Sequence, residues 1–177
     1  MNKAVFLDRD GVLNEEIGDY VWTLDQFKIV DGIIEILKKL KGEGYKLLVI
    51  TNQGGIAKGV YGHDDVKKMH DYFQEQSDHV IDEYYYSPTH PKVPESLSHP
   101  MVRKPSPVMF EKAIADHNVD PHQSWMIGDK ERDLIPAKAL GMKTIRIFLE
   151  GYFEEGEKTI GDHSVSEVKA IEDILFS

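Results

Sequence analysis

The 177 residues predict an α/β fold, a Rossmann-like three-layer sandwich around a mainly parallel sheet. Two observations carry that expectation. Short apolar or β-branched runs alternate with stretches whose apolar residues recur at helical spacing. One of the runs, "YKLLVI" at 45–50, is unbroken, as expected of a strand covered on both faces.

The first strand is expected over Lys3 to Leu7. A helix follows from about Gly32 to Lys41, with Ile33, Ile36, Leu37 and Leu40 on one face, Asp31 as its cap, and Gly42 and Gly44 closing it. After the 45–50 strand comes a polar, glycine-rich turn, "TNQGGIAKG", then a helix from about Asp64 to Ser77. A third strand is expected near 82–86, where alternate rings of Tyr84, Tyr85 and Tyr86 face the core. Residues 87–107 read as a long loop bearing proline and histidine, longer than a compact domain carries without a reason.

A helix from Pro107 to His117 is expected next, capped by Ser106 with Pro107 at its first position. "SWMIGD" is the fourth strand and its exit, Leu134 to Leu140 a helix stopped by Gly141, and "KTIRIF" the fifth strand. The tail reads as a short strand or turn and a helix from Val168 to Leu175 capped by Ser166. "EGYFEEGEK" reads as a solvated loop. There are no repeats, linkers or low-complexity tracts, so residues 1–177 are expected to form one domain.

Composition excludes several function classes. Twenty-one basic against 31 acidic residues, a net charge of −10, argue against general affinity for nucleic acid or anionic membranes. A few local Lys and Arg side chains still suffice for a phosphorylated small molecule. The absence of cysteine excludes disulfides, thiolate zinc sites and a cysteine nucleophile. No apolar run approaches the ~20 residues of a membrane span, and "MNKAVFLDRD" is charged too soon for a signal peptide. A soluble, cytoplasmic monomer is the expectation.

In an open parallel sheet, ligands bind outside the carboxyl ends of the strands. Strand one ends in Asp8-Arg9-Asp10-Gly11, strand two in Thr51-Asn52-Gln53-Gly54, and strand four in Gly128-Asp129-Lys130, with Asp133 a turn later. The loop before the third helix carries Arg103-Lys104-Pro105. Two buried carboxylates in one turn ask for a metal ion, a shared proton, or both. Each group has a task in phosphoryl transfer. One carboxylate attacks phosphorus; a hard divalent cation such as Mg²⁺ on Asp8, Asp129 and the Asp10 carbonyl offsets the negative charge. The Asp10 side chain then manages the proton. Thr51 and Asn52 donate to phosphoryl oxygens, and Lys104 adds positive charge. Arg9 is expected to point away along the strand period, without a chemical role. Asp133 reads as structural, holding Lys130 or capping a helix.

"DRDGVLN", "TNQ", "RKP" and "GDKERD" resemble the four ordered motifs of the haloacid dehalogenase superfamily, over Val5 to about Ile147. "FLDRDGVLNEE", "YYYSPTHP", "VRKPSPVMFEKA" and "MIGDKERDLIPAKALGMKTI" resemble its branch of heptose-bisphosphate phosphatases and histidinol-phosphatases, small members without a large cap domain. The resemblance implies Asp8 as nucleophile, Asp10 as acid/base and Asp129 as metal ligand, with Mg²⁺ as cofactor. It implies phosphate or substrate contacts from Thr51, Asn52, Gln53, Gly54, Arg103, Lys104 and Lys130, with Glu16, Gly18, Asp19 and Tyr20 at the substrate end. Its first implied activity is D-glycero-D-manno-heptose 1,7-bisphosphate 7-phosphatase, in lipopolysaccharide-precursor synthesis. The alternatives are histidinol-phosphatase, a broad-range phosphatase, or a non-catalytic phospholigand-binding protein, which the intact acids disfavour.

The chain departs from those relatives in its long loop. Where most carry a Cys-x-His and a Cys-x-Cys zinc site, it has Ser87, Thr89, Pro100 and Val102. His90 and His99 alone are a poor tetrahedral set, so no zinc is expected in 87–104. The loop is expected to be ordered by packing and by Pro88, Pro91, Pro94 and Pro100. His63, His70, His79, His117, His122 and His163 sit in polar contexts and are expected to be solvated.

Overall fold

The structure is a computed structural model that describes residues 1–93, 102–149 and 158–176. Six strands form one sheet: β1 (Ala4–Leu7), β2 (Lys46–Asn52), β3 (Glu83–Ser87), β4 (Trp125–Gly128), β5 (Lys143–Ile147) and β6 (His163–Val165). Their order is β3-β2-β1-β4-β5-β6 and every pair is parallel. The chain winds outward from β1 to β3 and then returns to place β4 on the other side of β1. That reversal opens a crevice between the carboxyl ends of β1 and β4, the usual ligand position in such sheets.

Period-2 alternation sends the strand side chains into two cores. Val5 and Leu7 face a layer built from α1 (Ile33–Gly42), α2 (His63–Gln76) and α5 (Val168–Leu175). Ala4 and Phe6 face α3 (Val108–His117) and α4 (Glu131–Ala139), where Phe6 stacks on Phe110 with centroids 5.6 Å apart. Both faces of β1 are therefore covered, which is why its burial is complete and its sequence reads as continuously apolar. Within α1, Ile33, Ile36, Leu37 and Leu40 are buried, as their spacing predicts. Each such side chain contributes about 1.5–3 kcal/mol of burial. Tyr85 turns into the α3 and α4 core, while Tyr84 packs against the opposite core.

The caps differ from expectation. Gly32, in the left-handed region at φ 77°, occupies the N-cap of α1, so Asp31 does not cap it. Pro107 is the N-cap of α3, one position before the helix, and Ser106 Oγ reaches the Val108 amide only at 3.5 Å. Glu167 rather than Ser166 is the N-cap of α5, with no side-chain bond. Helix α4 begins at Glu131, three residues before expectation, because Asp133 Oδ2 accepts from the Lys130 amide at 3.0 Å and closes its first turn.

Between β1 and α1 the chain makes an excursion over residues 11–30, tied back by Glu15 N–H to Lys28 O and Val30 N–H to Leu13 O. Val12, Leu13, Val21 and Phe27 bury its underside. Among the described residues no helix is long and apolar enough to cross a membrane. The acidic stretch at 150–157, and Pro94, His99 and Pro100 of the long loop, lie outside the described residues.

Candidate active site

Asp8 is the first residue past β1. Its amide donates to Ile127 O of β4 at 3.0 Å, so backbone pairing carries it into the crevice, where it is 4% exposed. The chain then turns: the Leu13 and Asn14 amides both donate to Arg9 O. Gly11 makes this turn possible at φ +82°, and a Cβ there would lie 2.7 Å from Asp129 Cγ. Only glycine lets the β1 and β4 exits approach so closely.

Lys104 is buried, and its ammonium meets three oxygens: Ile50 O at 2.6 Å, Asp133 Oδ1 at 2.8 Å and Asp8 Oδ1 at 3.0 Å. Burial lowers its pKa, but the two carboxylates outweigh that, and the net shift is upward. Lys104 is a fixed cation. Asp8 Oδ1 also accepts from the Arg9 amide at 2.7 Å, so among the described residues its polar contacts fall on Oδ1 and Oδ2 is left for chemistry.

One oxygen each from Asp8, Asp129 and Asp133 lie within 4.8 Å of one another. Asp129 Oδ2 pairs with Lys130 Nζ at 3.1 Å, whereas Asp129 Oδ1 is buried with no partner among the described residues. Burial, with Asp133 next, pushes Asp8 up to about 8. Burial and Asp133 push Asp129 up to about 6. An all-oxygen set, an orphaned buried carboxylate oxygen and two carboxyls that resist ionisation together fit a hard divalent cation. The Asp10 side chain is not part of this cluster.

Asp10 is held in the opposite condition. Its Oδ1 accepts from Arg9 Nη2 at 3.0 Å, Arg9 Nε at 3.2 Å and Asn14 Nδ2 at 3.0 Å; its Oδ2 accepts from Gln53 Nε2 at 3.1 Å. Burial would raise its pKa, but the Arg9 charge and these bonds outweigh it, and the net shift is downward. Arg9 therefore does not point away. Strand alternation ends at Leu7, and in the turn that follows the guanidinium folds back onto Asp10 and the Val21 carbonyl (2.8 Å), with only 1% exposure.

Several residues expected at the site are present but already engaged. The Asn52 amide is bonded both ways to the Lys104 backbone, accepting at 2.9 Å and donating at 3.2 Å. It fixes the Lys104 loop to β2. Gln53 bonds Asp10 and Thr51 Oγ1, Lys130 bonds Asp129, and Asp133 both caps α4 and grips Lys104. Thr51 is buried at the end of β2. Gly54 lies beneath Arg103, whose Nη1 donates to Thr89 O at 3.0 Å. Tyr20 sits at the mouth, edge-on to Tyr61 at 5.7 Å, and Gly18 and Asp19 are exposed beside it. Glu16 Oε1 accepts from the Gly18 amide at 2.9 Å, and with Gly11 and Asp129 Glu16 lines a cavity of about 910 Å³ that runs to α1 and α5.

Tyr61 and His70 matter here and carry no motif signal, while Lys58 lies in the "TNQGGIAKG" turn and His90 in the "YYYSPTHP" stretch. Lys58 lies over the Tyr20 ring at 5.3 Å, and Tyr61 bonds Gln53. Burial and the cations Lys58, Arg103 and Lys92 all depress His90, so a basic group collects at this mouth although the chain is acidic overall. His70 is buried rather than solvated: its ring stacks on Tyr84 at 4.1 Å, and burial, then Arg9, pull its pKa down to about 3. At the start of the long loop, Ser87 Oγ and Thr89 Oγ1 bond each other at 2.9 Å while buried.

The geometry has parallels among known proteins. A haloacid dehalogenase-like hydrolase family model matches residues 2–141. The D-glycero-beta-D-manno-heptose-1,7-bisphosphate 7-phosphatase of Haemophilus ducreyi is 40% identical over 88% of this chain and 89% of its own. The D-glycero-alpha-D-manno-heptose-1,7-bisphosphate 7-phosphatase of Burkholderia mallei is 37% identical over 81% of this chain and 78% of its own. In fold, the chain is similar to the D,D-heptose 1,7-bisphosphate phosphatase of B. bronchiseptica, crystallised with magnesium and phosphate. That TM-score is 0.80 at 23% identity, covering 98% of both chains.

Proposed function

The chain belongs to the haloacid dehalogenase-like hydrolases, and we propose that it is a Mg²⁺-dependent phosphatase that removes the 7-phosphate of D-glycero-D-manno-heptose 1,7-bisphosphate. The observation that carries the reaction class is the contrast between two carboxylates two residues apart. Asp8 is tethered through Oδ1 to Lys104, and Asp10 is turned away to Arg9 and Gln53. Environments that push two neighbouring acids apart in proton affinity mark a division of labour.

In this reading Asp8 gives up its proton to solvent when the site takes up a cation. Its Oδ2 then attacks phosphorus, the bond from phosphorus to the sugar oxygen breaks, and Asp10 gives that oxygen a proton. The products are the dephosphorylated sugar and an aspartyl-phosphate. Water then attacks the same phosphorus, its proton goes to Asp10, and the bond to Asp8 breaks to release phosphate. Asp10 is an anion in the free site, so the proton that it donates enters with the phosphate, whose negative charge raises Asp10. Lys104 faces the developing charge, with the Thr51 hydroxyl beside it. Asp8 and Asp129 would hold Mg²⁺, which supplies charge neutralisation for the phosphoryl oxygens when bound.

The choice of substrate rests on the relatives' names and on charge. Lys58, Lys92 and Arg103 gather around His90, a basic mouth suited to a second phosphate on the substrate. The test is phosphate release with Mg²⁺ from both anomers of the heptose 1,7-bisphosphate, from histidinol phosphate and from simple sugar phosphates. Preference for one bisphosphate anomer by an order of magnitude or more is expected. Equal slow release from all would leave a phosphatase of broad range, and no release would remove the enzymatic reading.

A further inference from the structure

Gln53 occupies a position from which it touches Asp10 without touching solvent, at 1% exposure. Its Nε2 donates to Asp10 Oδ2 at 3.1 Å and to Thr51 Oγ1 at 2.9 Å. Its Oε1 accepts one bond, from the Tyr61 hydroxyl at 2.8 Å. The amide thus bridges a phenol and the acid/base carboxylate. A buried amide whose oxygen loses its donor must tilt or stay unsatisfied, and either weakens the bond on its other end.

Tyr61 is itself fixed from several sides. It is 6% exposed, and a Cβ on Gly55 would lie 2.1 Å from its Cε1, so the ring seats directly on bare backbone. Tyr20 meets it edge-on at 5.7 Å, and Trp22 stacks on it at 6.4 Å with planes 15° apart. Both rings are partly exposed. Burial pushes the Tyr61 phenol up to about 12, so it keeps its proton and acts as the donor to Gln53.

We propose that Tyr61 is a positioning residue for the acid/base: its hydroxyl fixes the Gln53 amide, which in turn holds Asp10 Oδ2 in line with the leaving oxygen. Tyr61 touches no reacting atom. Its effect is confined to the step in which Asp10 delivers a proton, and so depends on how much the leaving group needs one. A sugar alkoxide needs it. p-Nitrophenolate departs as a stable anion and does not.

The inference rests on the phosphatase reading, and the wild-type protein is the control that separates the two. The experiment measures kcat/KM, which reports the steps through departure of the leaving group, for a sugar phosphate and for p-nitrophenyl phosphate. Wild type, Tyr61→Phe, Gln53→Leu and the double variant are compared. Tyr61→Phe removes only the hydroxyl and keeps the ring on Gly55. The expected result is a loss of about tenfold on the sugar phosphate and less than about twofold on p-nitrophenyl phosphate, one hydrogen bond's worth. The double variant is expected to lose no more than Gln53→Leu alone, because the phenol acts through the amide. Equal losses on both substrates, no loss on either, or additive losses in the double variant would overturn the role of Tyr61. A wild type inactive on both substrates would instead remove the phosphatase reading, and this inference with it. Should Tyr61→Phe fold poorly, Gln53→Leu alone must give the same leaving-group dependence, and its absence has the same overturning force.

Discussion

Lys104 Nζ bridges Asp8 Oδ1 at 3.0 Å and Asp133 Oδ1 at 2.8 Å, joining residues from three separate segments through one buried charge. Removing it leaves two buried carboxylates without their cation. Lys104→Met is therefore expected to lower stability by about 3–5 kcal/mol, read from a denaturant midpoint, as well as abolishing turnover. A loss of turnover with an unchanged midpoint would mean that the ammonium is not the clamp described here.

The acids around Lys104 make stability depend on pH with an unusual sign. Asp8 at about 8 and Asp129 at about 6 stand above their ordinary value of 3.8. A carboxyl whose folded pKa is raised binds its proton more tightly when folded, so its contribution is complete below about 4 and is lost as pH rises through 6 and 8. The metal-free protein is expected to melt at a lower temperature at pH 8.5 than at pH 6. Added Mg²⁺ should raise the melting temperature more at pH 8.5 than at pH 6, because it competes with those protons. An equal rise at both values would contradict this.

Among the described residues Asp129 Oδ1 has no hydrogen-bond partner, so a bound cation would relieve a cost that Lys130, paired with Oδ2, leaves in place. Asp129→Asn is expected to match or exceed the wild type's melting temperature without metal and to gain nothing from Mg²⁺. Retention of the full Mg²⁺-dependent rise in that variant would place the cation elsewhere.

Ser87 and Thr89 hold the start of the long loop by a buried hydroxyl pair, and Arg103 donates to Thr89 O at 3.0 Å. Ser87→Ala should cost about 1 kcal/mol and raise KM more than it lowers kcat, since Arg103 borders the mouth and not the reacting bond. A zinc chelator should leave both the melting temperature and KM unchanged. Sensitivity to the chelator would mean that a zinc ion, and not the hydroxyl pair, orders the loop.

How much of this was legible in the sequence depends on the range of the interaction. The exits at Asp8 and Asp129 were readable because unbroken apolar runs stop at an acid, and the doubly covered strands follow from the same runs. Arg9 was misread because strand alternation was extended past Leu7, where the chain already turns. The caps at Asp31, Ser106 and Ser166 failed because capping depends on torsion angles at single residues, such as Gly32 at φ 77°. His70 was misplaced because its cover, Tyr84, comes from the next strand, and Asp133 gave no hint of Lys104, 29 residues away, since sequence spacing does not encode such pairs. Tyr61 belongs to no recurrent pattern, and Lys58, although in the "TNQGGIAKG" turn, meets Tyr20 only through the fold.

The central claim is that Asp8 becomes phosphorylated during turnover, and rapid acid quenching tests it most directly. The protein with Mg²⁺ is mixed with the heptose bisphosphate labelled with ³²P at the 7-phosphate, quenched within one turnover, and digested for peptide mapping. The expected result is label on the peptide containing Asp8, chased off by unlabelled substrate, with no label and at least about 10³-fold slower phosphate release in Asp8→Asn. Full turnover by Asp8→Asn, or label on a peptide that excludes Asp8, would contradict it.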